Sequence, residues 1–272
     1  MKKIISFSLY GNKPNFQIGA MVNTIEAARI YPGWKCRFYT TDDDNICKQL
    51  EYLGAEIVRM DDWPEGQMFW RFLAVDDADV CLSRDTDSVV NEREAAAVKE
   101  WLEDTNYQWH AMHDWKGHRK ISMMGGMWGY RHYQHASEIP TNRYVFNFRK
   151  KPMRQIIDEW SIHSPCSGRG WDQEFLGKRV YSGMAQTNIK WSGDWVNAKG
   201  NHFPPHYPIR YGRFVGDYTF WEGGWQKRVH TDKWLIDDIK KMIKDGWDSS
   251  TIPSIMETVK SIIHKCGGRV QD

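Results

Sequence analysis

The run Asp79-Val80-Cys81-Leu82-Ser83 passes without a break into Arg84-Asp85-Thr86-Asp87-Ser88. The first five residues read as a buried strand and the next five as the turn at its carboxyl end. Period-two geometry aims Asp85 and Asp87 the same way, and a turn there lets them share a hard cation such as Mg²⁺ or Mn²⁺. The bland alternative is two acids capping a helix at a solvated surface. Asn91 with Glu94 three residues on is a capping-box pattern, and Ala95, Val98 and Leu102 form one apolar stripe behind it.

Upstream of this stretch, strand and helix signals alternate. Ile5, Phe7 and Leu9 alternate with polar neighbours, then Ile18, Val22 and Ile25 recur at helical spacing until Pro32-Gly33. A strand at 36–40, a short helix from Ile46 to Leu53 ended by Gly54, a strand at 56–59 and a helix from about Gln67 to Val75 complete the series. Such alternation implies an α/β fold with a mostly parallel, doubly wound sheet, which binds ligands at the carboxyl ends of its strands.

Downstream the pattern loosens. Residues 117–130 hold four glycines around Met123-Met124-Gly125-Gly126-Met127-Trp128-Gly129, and 191–225 are rich in Trp, Gly and Pro, so both read as loops or irregular strands over a site. Two amphipathic helices are expected in the tail. Leu235, Ile236, Ile239, Met242 and Ile243 line the first, and Ile252, Ile255, Val259, Ile262 and Ile263 the second.

With 272 residues, 41% of them hydrophobic, the chain can bury the core of one large domain or two small ones, which excludes disorder, collagen-like repeats and coiled coil. No apolar run approaches the roughly 18 residues that span a bilayer. The start, Met1-Lys2-Lys3 into Ile4-Ile5-Ser6-Phe7-Ser8, is too polar for a secretion signal, so no membrane association and a cytoplasmic location are expected. Cys36, Cys47, Cys81, Cys166 and Cys266 are odd in number and form no C-x-x-C pair, against a disulfide framework or a zinc site.

Charge is unevenly spread. Residues 1–115 carry 12 basic and 20 acidic side chains, 116–230 carry 18 and 8, and 231–272 carry 7 and 7. The basic block points to an anionic partner or substrate, and the 15 tryptophans, where they are not core, suit flat or ringed ligands such as sugars and bases.

Several short strings, in order over residues 4–180, resemble a GT-A-type glycosyltransferase. They are Ser8-Leu9-Tyr10-Gly11, Tyr31-Pro32-Gly33-Trp34, Phe69-Trp70-Arg71-Phe72, Arg84-Asp85-Thr86-Asp87-Ser88 with Arg93-Glu94 and Trp101-Leu102, His113-Asp114 with His118, Gly126-Met127-Trp128-Gly129, and Asp172-Gln173-Glu174-Phe175-Leu176. The resemblance implies a GT-A-like, Rossmann-type mixed sheet over 1–230 and a C-terminal helical extension over 231–272. It implies a hexosyl- or pentosyltransferase that uses a nucleotide-sugar donor, a UDP-sugar, with Mn²⁺ or Mg²⁺.

Roles follow residue by residue from that resemblance. Leu9, Tyr10 and Gly11 would cradle the base and ribose, with Arg71 and Arg84 near the diphosphate. Asp85 and Asp87 would hold the metal. Gly126 and Trp128 would line the sugar pocket, and Asp172 would sit under the anomeric carbon. Arg71 has a second reading as the partner of Asp76 or Asp77, and Gly126 and Gly129 as turn formers. Where such enzymes offer a late histidine to the metal, this chain reads Ser192-Gly193-Asp194-Trp195, with His202 further on as the third ligand. Asp114 has three open roles: orienting sugar hydroxyls, acting as base, or anchoring a loop.

The acceptor expected is a hydroxyl on a hydroxymethylated cytosine in DNA, with arabinose or glucose as the sugar, by similarity to bacteriophage DNA-modifying transferases. Lys116, Arg119, Lys120, Arg149, Lys150, Lys151, Arg154, Lys178 and Arg179 are spread widely enough to track a phosphate backbone. The tail also looks somewhat like the core of a helix-turn-helix module. A glycan or lipopolysaccharide acceptor is the ordinary alternative for the fold, and a non-catalytic protein that binds nucleotide sugar or DNA is the rival from another class. No protein partner is evident.

Overall fold

Along the first strand, β1 (Lys3–Leu9), Ile5, Phe7 and Leu9 face one side of a sheet while Ser6 and Ser8 face the other. The computed structural model describes residues 1–103, 107–114, 118, 121–133, 147–162, 168, 170–182, 189–192 and 215–216. The remaining strands are β2 (Lys35–Thr40), β3 (Glu56–Arg59), β4 (Val80–Arg84), β5 (Trp109–Met112), β6 (Trp128–Arg131) and β7 (Ile189–Ser192). They form one seven-stranded sheet in the order β3-β2-β1-β4-β6-β5-β7.

The half built from β3, β2, β1 and β4 is parallel, as the alternation of strand and helix requires. The other half is mixed, because β6 runs antiparallel to both β4 and β5, while β5 and β7 are parallel. The result is the Rossmann-type mixed sheet flanked by helices that the sequence pointed to.

Helix α1 (Pro14–Ile30) starts with Pro14 in its first turn, where no amide donor is needed, and lays Ile18, Met21, Val22 and Ile25 on the sheet. Helix α2 (Asp44–Tyr52) is capped by Asp43, whose carboxylate accepts from the Asn45 and Ile46 amides at 3.0 and 3.1 Å. Helix α3 (Glu92–Glu103) begins at Asn91, whose side chain accepts from the Glu94 amide at 3.0 Å. Only half of the expected capping box forms there, since the Glu94 carboxylate is taken by Arg84. On the opposite face lie α4 (Met153–Ser161) and α5 (Trp171–Phe175), the latter continuing as a wider π-type turn over Leu176–Tyr181.

The helix expected at 67–75 is instead 3₁₀, over Trp70–Asp76 after a shorter turn at Pro64–Gly66. The cause is competition for its backbone groups. Ser8 Oγ accepts from the Arg71 amide at 3.0 Å, and Ser6 Oγ donates to the Arg71 carbonyl at 2.7 Å. Two serines of a buried strand thus capture groups that an α-helix would pair internally.

Two apolar layers sandwich the sheet. One joins Ile5, Phe7, Leu9 and Leu82 to α1, α2 and α3; the other joins Cys81, Trp128 and Tyr130 to Trp70, Phe72, α4 and α5. Cys36, Cys47 and Cys81 are buried free thiols, while Cys166 and Cys266 lie outside the described residues. Both tail helices, and with them the proposed extension over 231–272, also lie outside. Among the described residues, no helix is long and apolar enough to cross a membrane.

Candidate active site

The chain winds from β1 outward to β2 and β3, then crosses back to place β4 on the other side of β1. The carboxyl ends of β1 and β4 therefore flank the point where the winding reverses, which is where an open α/β sheet leaves a crevice. Tyr10 and Gly11 follow β1 into this crevice, and Asp85 to Asp87 follow β4.

Arg71 joins the parts. Its Nη1 donates to Asp85 Oδ1 at 2.5 Å and its Nη2 to Asp172 Oδ2 at 2.6 Å. It is not the partner of Asp76 or Asp77: Arg37 takes Asp77 at 2.6 Å, and Asp76 accepts the Met153 amide at 2.8 Å. Arg71 is 9% exposed and Asp172 6%, whereas Asp85 keeps 36% of its side chain in solvent. Burial works against the Arg71 charge, but Asp85 and Asp172 outweigh it and hold the guanidinium above its ordinary pKa. Burial pushes the Asp172 carboxyl up, with Arg71 pulling it down and Asp85 pushing it up again. Tyr10 feels the same cluster. Burial raises its phenol, Arg71 opposes, and Asp172, Asp85 and Asp87 add to the rise.

Two glycines form the wall of this cluster. A Cβ at Gly126 would overlap the Asp85 carboxylate, and one at Gly125 would overlap Asp172 and the Arg71 guanidinium. Ser83 Oγ fixes the segment by donating to the Gly125 carbonyl at 2.7 Å. Gly129 serves packing instead, because a Cβ there would meet Leu82 and Trp101. Gly11, at φ +85°, turns the chain out of β1 in the left-handed region that favours glycine.

The surroundings of four residues bear on the roles expected of them. Arg84 follows Val80 and Leu82 to the α3 face, where its Nε donates to Glu94 at 2.9 Å and its Nη1 to the Ser83 and Trp128 carbonyls, so it is not placed near a diphosphate. Tyr31 completes that buried network through its hydroxyl on Glu94 at 2.9 Å. Trp128 is fully buried, with ring centroids 5.3 Å from Phe72 and 5.5 Å from Trp109, and offers no face to a sugar. The Leu9 side chain is in the core, leaving only its backbone at the crevice. Asp114 accepts from Arg93 through both oxygens, at 2.8 and 3.1 Å, and from the Val215 amide at 3.0 Å. These contacts are the ones that the third of its open roles, anchoring a loop, requires.

Asp85 and Asp87 are hard carboxylate donors two residues apart in the chain at a partly open strand end, and they suit Mg²⁺ or Mn²⁺. No three His, Cys, Asp or Glu side chains converge on a metal position among the described residues. The fit is therefore to a cation shared with substrate oxygens and water, the usual arrangement for Mg²⁺, and not to a self-contained protein cage. His202, the expected third ligand, lies outside the described residues, as do Lys116, Arg119 and Lys120. Sequence reasoning missed Ser6, Ser8 and Ser83 as the groups that set Arg71 and Gly125. Hydroxyls alternating with large apolar residues on a buried strand were the available signal.

No family model matches the chain, and no curated protein sequence matches it. Among solved structures, the chain is similar to glucosyl-3-phosphoglycerate synthase from Mycobacterium tuberculosis in complex with Mn²⁺, UDP-glucose and phosphoglyceric acid, at 12% identity over 75% of this chain and 73% of that one, TM-score 0.40. It is similar to a glycosyltransferase involved in glycosylation of the major capsid of PBCV-1, at 12% identity over 70% and 81%, TM-score 0.43. It is also similar to the galactosyltransferase LgtC in complex with donor and acceptor sugar analogues, at 15% identity over 70% and 73%, TM-score 0.40.

Proposed function

We propose that this chain is a GT-A-like glycosyltransferase that moves a sugar from a nucleotide-sugar donor, a UDP-sugar, to an acceptor hydroxyl. One observation carries the reading: Asp85, Arg71 and Asp172 meet, walled by two glycines, in the crevice between the carboxyl ends of β1 and β4. A buried arginine is the natural ligand of a diphosphate. Asp85 and Asp87 would hold Mg²⁺ or Mn²⁺ against the same diphosphate, where it would neutralise charge on the leaving group. The backbone at Leu9, the Tyr10 ring and Gly11 form the flank on which the base and ribose would rest. Asp172 would face the anomeric carbon and stabilise positive charge as the bond to the leaving oxygen breaks and the bond to the acceptor oxygen forms.

The finer reading, a hydroxymethylated cytosine in DNA as acceptor, rests on the 18-to-8 excess of basic over acidic residues in 116–230. Of the basic side chains described there, Arg149, Lys151, Arg154 and Lys178 already pair with Asp79, Glu159, Asp158 and Glu174. A glycan acceptor is thus the competing outcome of the same assay. The purified chain is incubated with a set of nucleotide sugars, with Mn²⁺ or with a chelator, and offered hydroxymethylcytosine DNA, plain DNA and a glycan panel. Metal-dependent release of the nucleoside diphosphate supports the enzyme, and transfer to the modified DNA alone supports the DNA acceptor. Transfer to a glycan without transfer to DNA overturns the DNA acceptor. Donor binding without turnover under any condition overturns catalysis and leaves the binding protein.

A further inference from the structure

Arg71 stands where the proposed reading needs a divalent cation to act. Its guanidinium bridges Asp85 and Asp172 at 2.5 and 2.6 Å, so the first aspartate of the D-x-D pair is already neutralised from within the protein. The backbone that carries it is fixed by Ser6 and Ser8 at 2.7 and 3.0 Å. Gly125 and Gly126 close the other side, with room for no added carbon. With that backbone fixed, the Arg71 side chain can turn away from Asp85 without moving the chain that carries it.

That side chain has an unmet need. Nη1 and Nη2 hold the two carboxylates, while the buried Nε has no hydrogen-bond partner among the described residues. A buried donor left in this state is worth satisfying, and phosphate oxygens match the guanidinium fork better than any neutral group. A cation that shares Asp85 with Arg71 meets a like charge at close range. A nucleoside diphosphate in the crevice reverses the sign of the field and supplies the acceptor that Nε lacks.

We propose that Arg71 is a stand-in for the metal ion, holding Asp85 until a nucleoside diphosphate draws the guanidinium onto its phosphates and thereby admits the divalent cation. The inference rests on the reading of the crevice as a nucleotide-sugar site and adds an order to it: cation binding is weak alone and tight with nucleotide. By linkage, the nucleotide strengthens the cation by the same factor as the cation strengthens the nucleotide. Removal of the Arg71 charge weakens the linkage by freeing Asp85 from the start, leaving the part that comes from diphosphate oxygens on the cation.

The test is Mn²⁺ binding to the full chain, followed by the electron paramagnetic resonance signal of free Mn²⁺, with and without UDP. In the wild type, UDP tightens Mn²⁺ at least about tenfold, within the usual range of coupling between sites. In Arg71→Met, Mn²⁺ without UDP binds at least about tenfold tighter than in the wild type, and UDP tightens it by a smaller factor than in the wild type, the remainder coming from the diphosphate oxygens that share the cation. Circular dichroism reports whether Arg71→Met is folded. If it is not, Arg71→Lys decides, because a point charge cannot span both carboxylates and Mn²⁺ alone should bind about threefold tighter. A folded Arg71→Met, or failing that Arg71→Lys, that binds Mn²⁺ alone no better than the wild type overturns the inference, while wild-type binding of Mn²⁺ with UDP leaves the nucleotide-sugar reading standing. A wild type that binds no Mn²⁺ even with UDP overturns both.

Discussion

Arg84 and Asp85 are consecutive in the chain and face opposite sides of the sheet: Arg84 Nε reaches Glu94 at 2.9 Å on the α3 side, and Asp85 Oδ1 accepts from Arg71 at 2.5 Å on the other. The alternation of a strand carried one residue past its end separates the two charges. One becomes part of the core and the other part of the crevice. Their different surroundings lead to different expected outcomes on substitution.

Loss of the Asp87 carboxylate would remove one of the two proposed protein ligands to the cation while leaving Arg71 and Asp172 paired. Asp87→Ala is expected to lower metal-dependent turnover at least about 100-fold, the lower end of what positioned charge stabilisation contributes. Steady-state rates against Mn²⁺ concentration measure this. Unchanged turnover and metal dependence would make the D-x-D pair a surface turn.

Glu94 and Arg84 are both nearly fully buried, with side chains 2% and 3% exposed. Removing one partner of such a pair leaves an uncompensated charge in the core, so Glu94→Ala should destabilise the fold by about 3 to 5 kcal/mol. Urea denaturation gives the value. Donor affinity of the folded fraction should stay within about twofold, and a larger loss would return Arg84 to the diphosphate.

Gly126→Ala places a methyl group against the Asp85 carboxylate and 2.9 Å from the Asp85 backbone nitrogen. The carboxylate can swing, but the backbone cannot, so the strand end must shift. Donor affinity is expected to fall more than about tenfold, equivalent to about 1.4 kcal/mol. Calorimetric titration with the nucleoside diphosphate and Mn²⁺ tests it. Wild-type affinity would show that the wall of the crevice is not at the ligand.

Half-buried Asp76 and buried His113 pull stability in opposite directions over one pH window. Burial raises the Asp76 carboxyl to about 7, so the native state holds a proton that the unfolded chain releases near 4. That contribution weakens as pH rises from about 4 to 7. Burial lowers the His113 imidazole to about 4, with His118 adding to the fall, so the unfolded chain takes up a proton first. Its contribution weakens as pH falls from about 6.5 to 4. Asp76→Asn keeps the acceptor for the Met153 amide and removes the charge. It should gain about 1 to 3 kcal/mol over the wild type at pH 8 relative to pH 4. Thermal melts of both chains across this range decide it, and a constant difference would place Asp76 in an ordinary carboxylate environment.

The periodic signals along the chain were enough to place the parallel half of the sheet, its helices and the pair of aspartates at the end of β4, because those features depend on spacing within one element. Period two at Ile5, Phe7 and Leu9, the turn at Pro32-Gly33 and the cap at Asn91 are all local. The direction of β6, the 3₁₀ path of Trp70–Asp76 and the partners of Arg71 are not. Asp172 lies 101 residues from Arg71, and the two meet only because α5 packs on the layer that Trp70 and Phe72 build. Arg84, Trp128 and Asp114 are assigned to ligand by the family resemblance. Burial decided otherwise, since a charge or ring taken out of water must find its partners in the fold, and Glu94, Phe72 and Arg93 are those partners.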